Sequence, residues 1–250
     1  MTYALVTGSA KRIGRAIALA LARRGYDIAI HYRHSRADAQ SLSEEIGALG
    51  QTSRLYQADL TADEEILNLL PRIEAEGLRL DLLVNNASIY EPATIQTTEL
   101  ALFDRHWTAN FKAPFFLTRD FARLYRTGNI VNIVDAGIAK NESFYAAYSL
   151  TKKALAELTK MAALELAPAI RVNGICPGFI LLPVEADPAD TALAERIKQR
   201  VPLKRQGHVE PIERALAYLL DNPFITGQLL LVDGGEHLGS PPNTEASFSP

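Results

Sequence analysis

The stretch Tyr3-Ala4-Leu5-Val6-Thr7-Gly8-Ser9-Ala10-Lys11-Arg12-Ile13-Gly14 decides the architecture. Tyr3–Thr7 is a short apolar run of strand character, and Arg12–Arg24 has a helical pattern. The turn between them carries two glycines. Glycine lets a backbone approach a pyrophosphate closely, and a helix N-terminus supplies unpaired N–H groups and the positive end of a dipole. Gly8 and Gly14 suit those tasks, with Ile13 beside them at the helix start. Arg12 stands where the usual three-glycine fingerprint has its middle glycine. Two glycines alone also describe a tight strand-to-helix turn with no ligand. Their place on the first strand favours the dinucleotide reading.

Working outward, further apolar runs at Asp27–His31, Leu80–Val84, Asn129–Val134, Ala169–Ile175 and Gln228–Val232 read as buried strands, with Gln51–Tyr56 a weaker alternating one. Helical patterns fill the gaps: Ser35–Leu49, Ala62–Glu76, Leu100–Arg126 (as two helices), Ser143–Ala167, Ala189–Arg200 and Glu210–Leu220. Strands alternating with helices imply parallel pairing through crossovers. The expected fold is α/β: a single-domain, Rossmann-like, doubly wound parallel sheet of about seven strands with helices on both faces. The domain should span residues 1–238. Residues 239–250, rich in Pro, Ser and Gly, read as a flexible tail, and Leu181–Arg205, with Pro183 and Pro188, as a flap over a pocket.

Composition narrows the partners. A net charge of −3 with no basic run leaves no surplus for tracking nucleic acid. The single cysteine, Cys176, allows neither a disulfide framework nor a thiolate metal cluster, so no metal is expected. No apolar stretch approaches the roughly 20 residues that cross a bilayer. The chain enters its first strand with no charged leader, and a cytoplasmic setting is expected.

In dinucleotide folds, an acid at the end of strand two holds the ribose 2′-hydroxyl of NAD. Here that segment is Ile30-His31-Tyr32-Arg33-His34-Ser35, with no acid before Asp38. Arg33, His34 and Ser35, with Arg12 from the neighbouring turn, suit a 2′-phosphate, because guanidinium groups bind phosphate well. The expected cofactor is therefore NADPH. Solvated loop residues are the plainer alternative for Arg33 and His34.

Tyr148 and Lys152 are four residues apart and share a helix face. A phenol with an ordinary pKa of about 10 exchanges protons poorly at neutral pH, and a nearby ammonium favours its phenolate. As bare spacing the pair is cheap, since about 0.3 such pairs are expected by chance in this composition. Its place on the helix after the fifth strand of a dinucleotide-like chain gives it weight, against the alternative of a solvated helix face.

These residues resemble the short-chain dehydrogenase/reductase family over about residues 3–238. Its landmarks follow in order. Asp59-Leu60 stands after strand three, where the family contacts adenine, and Asn85-Asn86-Ala87-Ser88 after strand four. Asn110 lies mid-helix, where the family holds a water leading to the lysine. Pro177-Gly178 after strand six lies where the family meets the nicotinamide amide, and Val232-Asp233-Gly234-Gly235 closes the series. Singly, each landmark could be a turn, a loop cap or a helix kink. The resemblance implies catalytic roles for Asp135, Tyr148, Lys152 and Asn110. It also implies cofactor contacts at Gly8, Arg12, Ile13, Gly14, Tyr32–Ser35, Asp59, Leu60, Asn86–Ser88, Tyr148, Lys152, Pro177 and Gly178.

Four departures point to one branch. Asp135 replaces the catalytic serine, Arg12 the middle glycine and Ser88 a terminal glycine, and His31–Ser35 ends strand two. All four look like the pteridine reductase branch. That implies a pterin or folate-like substrate held by Arg12, Ser88, Tyr90, Asp135 and Tyr148, with Tyr90 supplying the covering ring. Some members close the pocket with a neighbouring subunit's C-terminal arginine, and Glu236–Ser240 contains none. The family usually forms tetramers, so a homotetramer is expected. Two other functions fit the same residues: a carbonyl reductase in which Asp135 is only structural, and a non-catalytic nucleotide sensor. The substrate's side chain would be sensed around Ile180–Asp190.

Overall fold

Side-chain alternation along β1 (Tyr3–Val6) sets up both layers of the molecule. Ala4 and Val6 enter one apolar core, Tyr3 and Leu5 the other, because successive strand residues face opposite sides of a sheet. The chain is described by a computed structural model covering residues 2–141, 143–180 and 188–239.

Six more strands join β1: β2 (Asp27–Tyr32), β3 (Ser53–Gln57), β4 (Leu80–Asn85), β5 (Gly128–Ile133), β6 (Ile170–Pro177) and β7 (Leu229–Val232). The spatial order is β3-β2-β1-β4-β5-β6-β7, with every neighbouring pair parallel. A parallel sheet is covered on both faces, which is why its central strands read as continuous apolar runs. One face carries α1 (Arg12–Arg23), α2 (Arg36–Ala48) and α8 (Val209–Asp221), packed through Ile17, Leu42, Ile46 and Leu216. The other carries α3 (Asp63–Ala75), α5 (Ala113–Leu124) and α6 (Ala146–Leu166), through Leu70, Leu117, Phe121 and Ala162. The expected fold class is the observed one.

Boundaries moved for local reasons. β3 starts at Ser53 and not Gln51, since the Thr52 N–H turns to the Asp27 carboxylate at 2.7 Å. Pro177 is the last residue of β6, where the sequence placed it in the following turn. α6 begins at Ala146, because Tyr145 is held as a bridge partner of Ala93. Leu100–Arg126 holds two α-helices, as expected, but no loop separates them. α4 (Leu100–Trp107) passes into α5 through a π-helical turn, Thr108–Lys112, without a break. α7 (Pro188–Arg200) forms as expected. Of the expected flap, Leu181–Arg205, residues 181–187 lie outside the described residues, as do residues 240–250 of the expected tail, 239–250.

Strand order reverses between β1 and β4, and in such sheets the crevice outside the carboxyl ends at that point receives ligands. The loops after β1, β4, β5 and β6 all open there. Among the described residues, no helix is long and apolar enough to cross a membrane.

Candidate active site

The turn after β1 is shaped for close backbone approach. Gly8 has φ +64°, and a Cβ on Gly14 would lie 2.4 Å from the Gly8 carbonyl oxygen. Arg12 also takes a left-handed backbone (φ 55°), which costs a non-glycine residue about 1 kcal/mol or more. The N-cap residue of α1, Lys11, makes no side-chain cap, and the helix's first turn contains no acid. Its N–H groups and dipole are thus left to an anion. Thr7 stitches this turn to the loop after β4: its hydroxyl accepts from the N–H groups of Asn86 (2.9 Å) and Ala87 (3.0 Å). Asn86 answers by donating to the Thr7 carbonyl at 2.8 Å.

His31 secures the turn from below. Its buried ring accepts from the Gly8 N–H at Nδ1 (2.9 Å), while Nε2 lies 3.0 Å from the Ala58 carbonyl oxygen. Nε2 therefore carries the proton, since a carbonyl can only accept. Burial drives the ring's pKa down to about 4, so it is neutral at pH 7.

At the far end of the crevice, Arg33 is paired with Asp59 at 2.9 Å. They line an open pocket of about 450 Å³ with His34, Gln57, Glu65 and Arg72. Burial raises the Asp59 carboxyl, but the hydrogen bonds from the Thr61 hydroxyl and N–H outweigh it, and Arg33 adds to them. The net direction is down. Ser35 is the N-cap residue of α2. Tyr32 and Leu60 are different: both side chains are packed in the core.

Asp135 ends the run from β5, and Tyr148 and Lys152 rise from one face of α6. The Tyr148 hydroxyl donates to Asp135 Oδ2 at 2.7 Å, and Oδ1 accepts from the Gly137 N–H at 2.6 Å. Asp135 keeps some exposed surface, yet protein encloses its carboxyl. That burial drives its pKa up, against the bonds from Tyr148 and Gly137 and the charge of Lys152. Lys152 is buried with Nζ 2.9 Å from the Ile133 carbonyl oxygen and 5.8 Å from the centre of the Tyr148 ring. Desolvation lowers its pKa to about 8, opposed by the nearby Asp135. A phenol, a carboxyl and a labile ammonium thus share one low-dielectric corner, the kind of cluster that moves protons near neutral pH.

Asn110 sits in the π turn and is fully buried. Its amide grips both backbone groups of Ile89, accepting from the N–H at 2.8 Å and donating to the carbonyl at 2.9 Å. It also accepts from the Ser88 hydroxyl at 3.2 Å and donates to Thr151 on α6 at 3.3 Å. The loop that carries Ser88 and Tyr90 is therefore fixed to the Tyr148 helix. Tyr90 stacks on Tyr145 with ring centres 4.3 Å apart and meets Tyr148 edge-on at 4.7 Å. Pro177 is buried, and Gly178 lies against Asp233 and Glu236, where a Cβ would be 2.6 Å from the nearer residue.

Sequence reasoning missed several contributors. Thr7 and His31 shape the phosphate turn, Tyr145 completes the aromatic wall, and His106 lies buried behind Tyr148 with ring centres 6.4 Å apart. A signal existed for Tyr145 alone: it lies three residues before Tyr148, on the same face if the helix is extended backward.

The family model described as "Enoyl-(Acyl carrier protein) reductase", of the short-chain alcohol dehydrogenase type, matches residues 8–237. The 3-oxoacyl-[acyl-carrier-protein] reductase FabG of Staphylococcus epidermidis is 34% identical over 242 residues, covering 94% of this chain and 98% of that protein. Pteridine reductase 1 of Leishmania tarentolae is 34% identical over 281 residues, covering 94% and 96%. Among solved structures, FolM alternative dihydrofolate reductase 1 from Brucella canis, complexed with NADP, superposes with TM-score 0.89 and 34% identity over 98% of this chain and 97% of that one. With a family match over nearly its whole length and a crevice built as described, the chain belongs to the short-chain dehydrogenase/reductase family of oxidoreductases.

Proposed function

We propose that the protein is an NADPH-dependent reductase of a pteridine, acting on a ring C=N of a dihydromonapterin, dihydrobiopterin or dihydrofolate-like substrate. The observation that carries this reading is the 2.7 Å hydrogen bond between Tyr148 and a carboxyl group, Asp135, at the position where the family's ketone reductases hold a serine. A ketone needs a neutral hydroxyl donor. A pterin presents ring nitrogens and an exocyclic amine, which a carboxyl can serve in either protonation state. The likeness to pteridine reductase 1 and to the FolM structures supports the same reading.

The turn after β1 fits a dinucleotide phosphate: Gly8 and Gly14 leave room, and α1 presents its open N-terminus. Arg33, His34 and Ser35 would hold the 2′-phosphate end, and Arg12, in the turn after β1, a phosphate of the cofactor, with Asp59 and the Leu60 backbone toward the adenine. Asn86, Ala87, Ser88, Pro177 and Gly178 would line the nicotinamide half. Reduced NADP, when bound, supplies a hydride. Lys152 orients the ribose and adds positive charge beneath Tyr148. Burial favours the protonated form of Asp135, so Tyr148 and Asp135 together can pass a proton toward a ring nitrogen. Ser88 and Arg12 bind the heterocycle's edge, and Tyr90 covers its face. Asn110 keeps Ser88 and Tyr90 in register.

A homotetramer is part of the reading. The helices α4, α5 and α6 expose Phe103, Phe115, Leu150, Met161 and Leu164, and this apolar surface suits subunit contact.

Steady-state NADPH oxidation with dihydromonapterin, dihydrobiopterin, dihydrofolate and an acetoacetyl thioester, repeated with NADH, tests the proposal. Turnover of a dihydropterin with NADPH, and none of the thioester, is expected. The reverse pattern would establish a second reading, a carbonyl reductase, which the equal identity to FabG favours.

A further inference from the structure

Three loops meet on one carboxylate that lies outside the Tyr148–Asp135–Lys152 cluster. Glu236, in a short 3-10 turn after β7, receives Lys140 Nζ on Oε1 at 2.6 Å. Its Oε2 accepts from the Phe179 N–H at 3.1 Å. Lys140 caps the 3-10 turn Ala136–Ala139, which begins directly after Asp135. Phe179 follows Pro177-Gly178 at the end of β6. The neighbouring Asp233 fixes the turn itself, accepting from the N–H groups of Gly235 (2.9 Å) and His237 (2.8 Å) and from His237 Nδ1 (2.7 Å). The Lys140–Glu236 pair is largely shielded from solvent, so its charges are screened less than those of a surface pair.

We propose that Glu236 is a positioning residue for the reaction: it clasps the loops after β5, β6 and β7 to one another and holds a second negative charge at the turn that follows Asp135, with Lys140 as its counterweight. The groups that act on the Asp135 carboxyl among the described residues come from four elements. From α6 come Tyr148 and Lys152, from its own loop the Gly137 N–H, and from β6 the Cys176 thiol, which burial keeps protonated. From the C-terminal turn comes Glu236, whose charge acts on Asp135 in the same direction as burial does. Together they favour the protonated carboxyl against the pull of Lys152. Lys140 limits that action by neutralising part of Glu236's field. The inference rests on the role proposed for Asp135 in proton delivery, although its electrostatic part stands independently of the substrate.

The test uses the full chain carrying 13C-labelled aspartate carboxyl groups, with the Asp135 resonance identified by its loss in Asp135→Asn. Glu236→Gln can still accept from Phe179 but loses the charge, and Asp135 should titrate about half a unit lower. Lys140→Met leaves the Glu236 charge unopposed, and Asp135 should titrate about half a unit higher. The alkaline limb of kcat for dihydrobiopterin should move in the same two directions. A merely structural clasp would lower Tm in both variants and leave the titration in place, which would overturn the proposal. Movement in one direction for both variants would overturn it too. If the resonance moves as expected while Asp135→Asn reduces dihydrobiopterin normally, the role of Asp135 in proton delivery falls and the Glu236 field stands; if it moves while the unaltered protein turns over no dihydropterin, the pteridine reading falls and the Glu236 field stands.

Discussion

The phenol of Tyr148 and the carboxyl of Asp135 are joined at 2.7 Å, across the gap between α6 and the loop after β5. The bond ties an acid–base group on a rigid helix to one whose proton affinity is raised by burial. Asp135→Ser keeps a donor but removes the carboxyl. Dihydropterin turnover should fall by about a hundredfold, the lower range for a lost general acid or base. The NADPH dissociation constant, read by fluorescence, should stay within about twofold, since Asp135 is not placed among the cofactor contacts. Unchanged pterin turnover would exclude the assigned role.

Arg33 is held at the mouth of the far pocket by Asp59. Arg33→Ala should raise KM for NADPH by about tenfold, the worth of one charge-assisted hydrogen bond to a phosphate. KM for NADH should not rise. A parallel loss with both cofactors would mean that Arg33 supports the loop and does not read the 2′-phosphate.

His31 gives a pH dependence with a definite sign. Folded, the ring titrates near 4, against an ordinary value of 6.5. Between those values the unfolded chain binds a proton that the folded chain refuses, so stability rises with pH through that window and is lost on acidification. The full effect is on the order of 3 kcal/mol. His31→Phe should be less stable at pH 7, having lost its bonds to Gly8 and Ala58. Its Tm should fall less steeply from pH 6.5 to 4. Equal slopes for the two proteins would show that another group governs acid unfolding.

Leu164 and Met161 are strongly exposed on α6. The proposed homotetramer predicts a tetramer's mass by light scattering, which Leu164→Glu should lower. Retention of a tetramer would place the subunit contact elsewhere.

The residues legible in the sequence were those whose chemistry is written locally. Gly8 and Gly14 announce a backbone with no room for a side chain, and Tyr148 and Lys152 announce a shared helix face. Asp135 stood out because a carboxylate occupied a place where the family resemblance expects a hydroxyl. What escaped depends on partners brought together only by folding. Glu236 meets Lys140 across 96 residues of chain, and Thr7 meets Asn86 across 79. His31 looked like one polar residue within an apolar strand, and nothing nearby in sequence says that its ring supports Gly8. For Tyr32 and Leu60 the sequence does not say that their side chains complete the core, which leaves any cofactor contact to their backbones.

The π turn at Thr108–Lys112 carries a consequence for the chain's mutability. Such a turn accommodates one residue beyond regular α-helical winding, and each helical residue rotates the chain by about 100°. Removing a single residue there would let α4 and α5 fuse into a smoother, better-bonded cylinder. It would also swing Asn110 out of register with Ile89, or turn the apolar stripe of α5 off α3. A shortened variant should therefore show sound helical circular dichroism together with a loosened β4 loop, visible as faster amide exchange at Ile89. In this segment irregular winding is a condition of the Asn110–Ile89 clasp, and sequence repair toward an ideal helix would undo it.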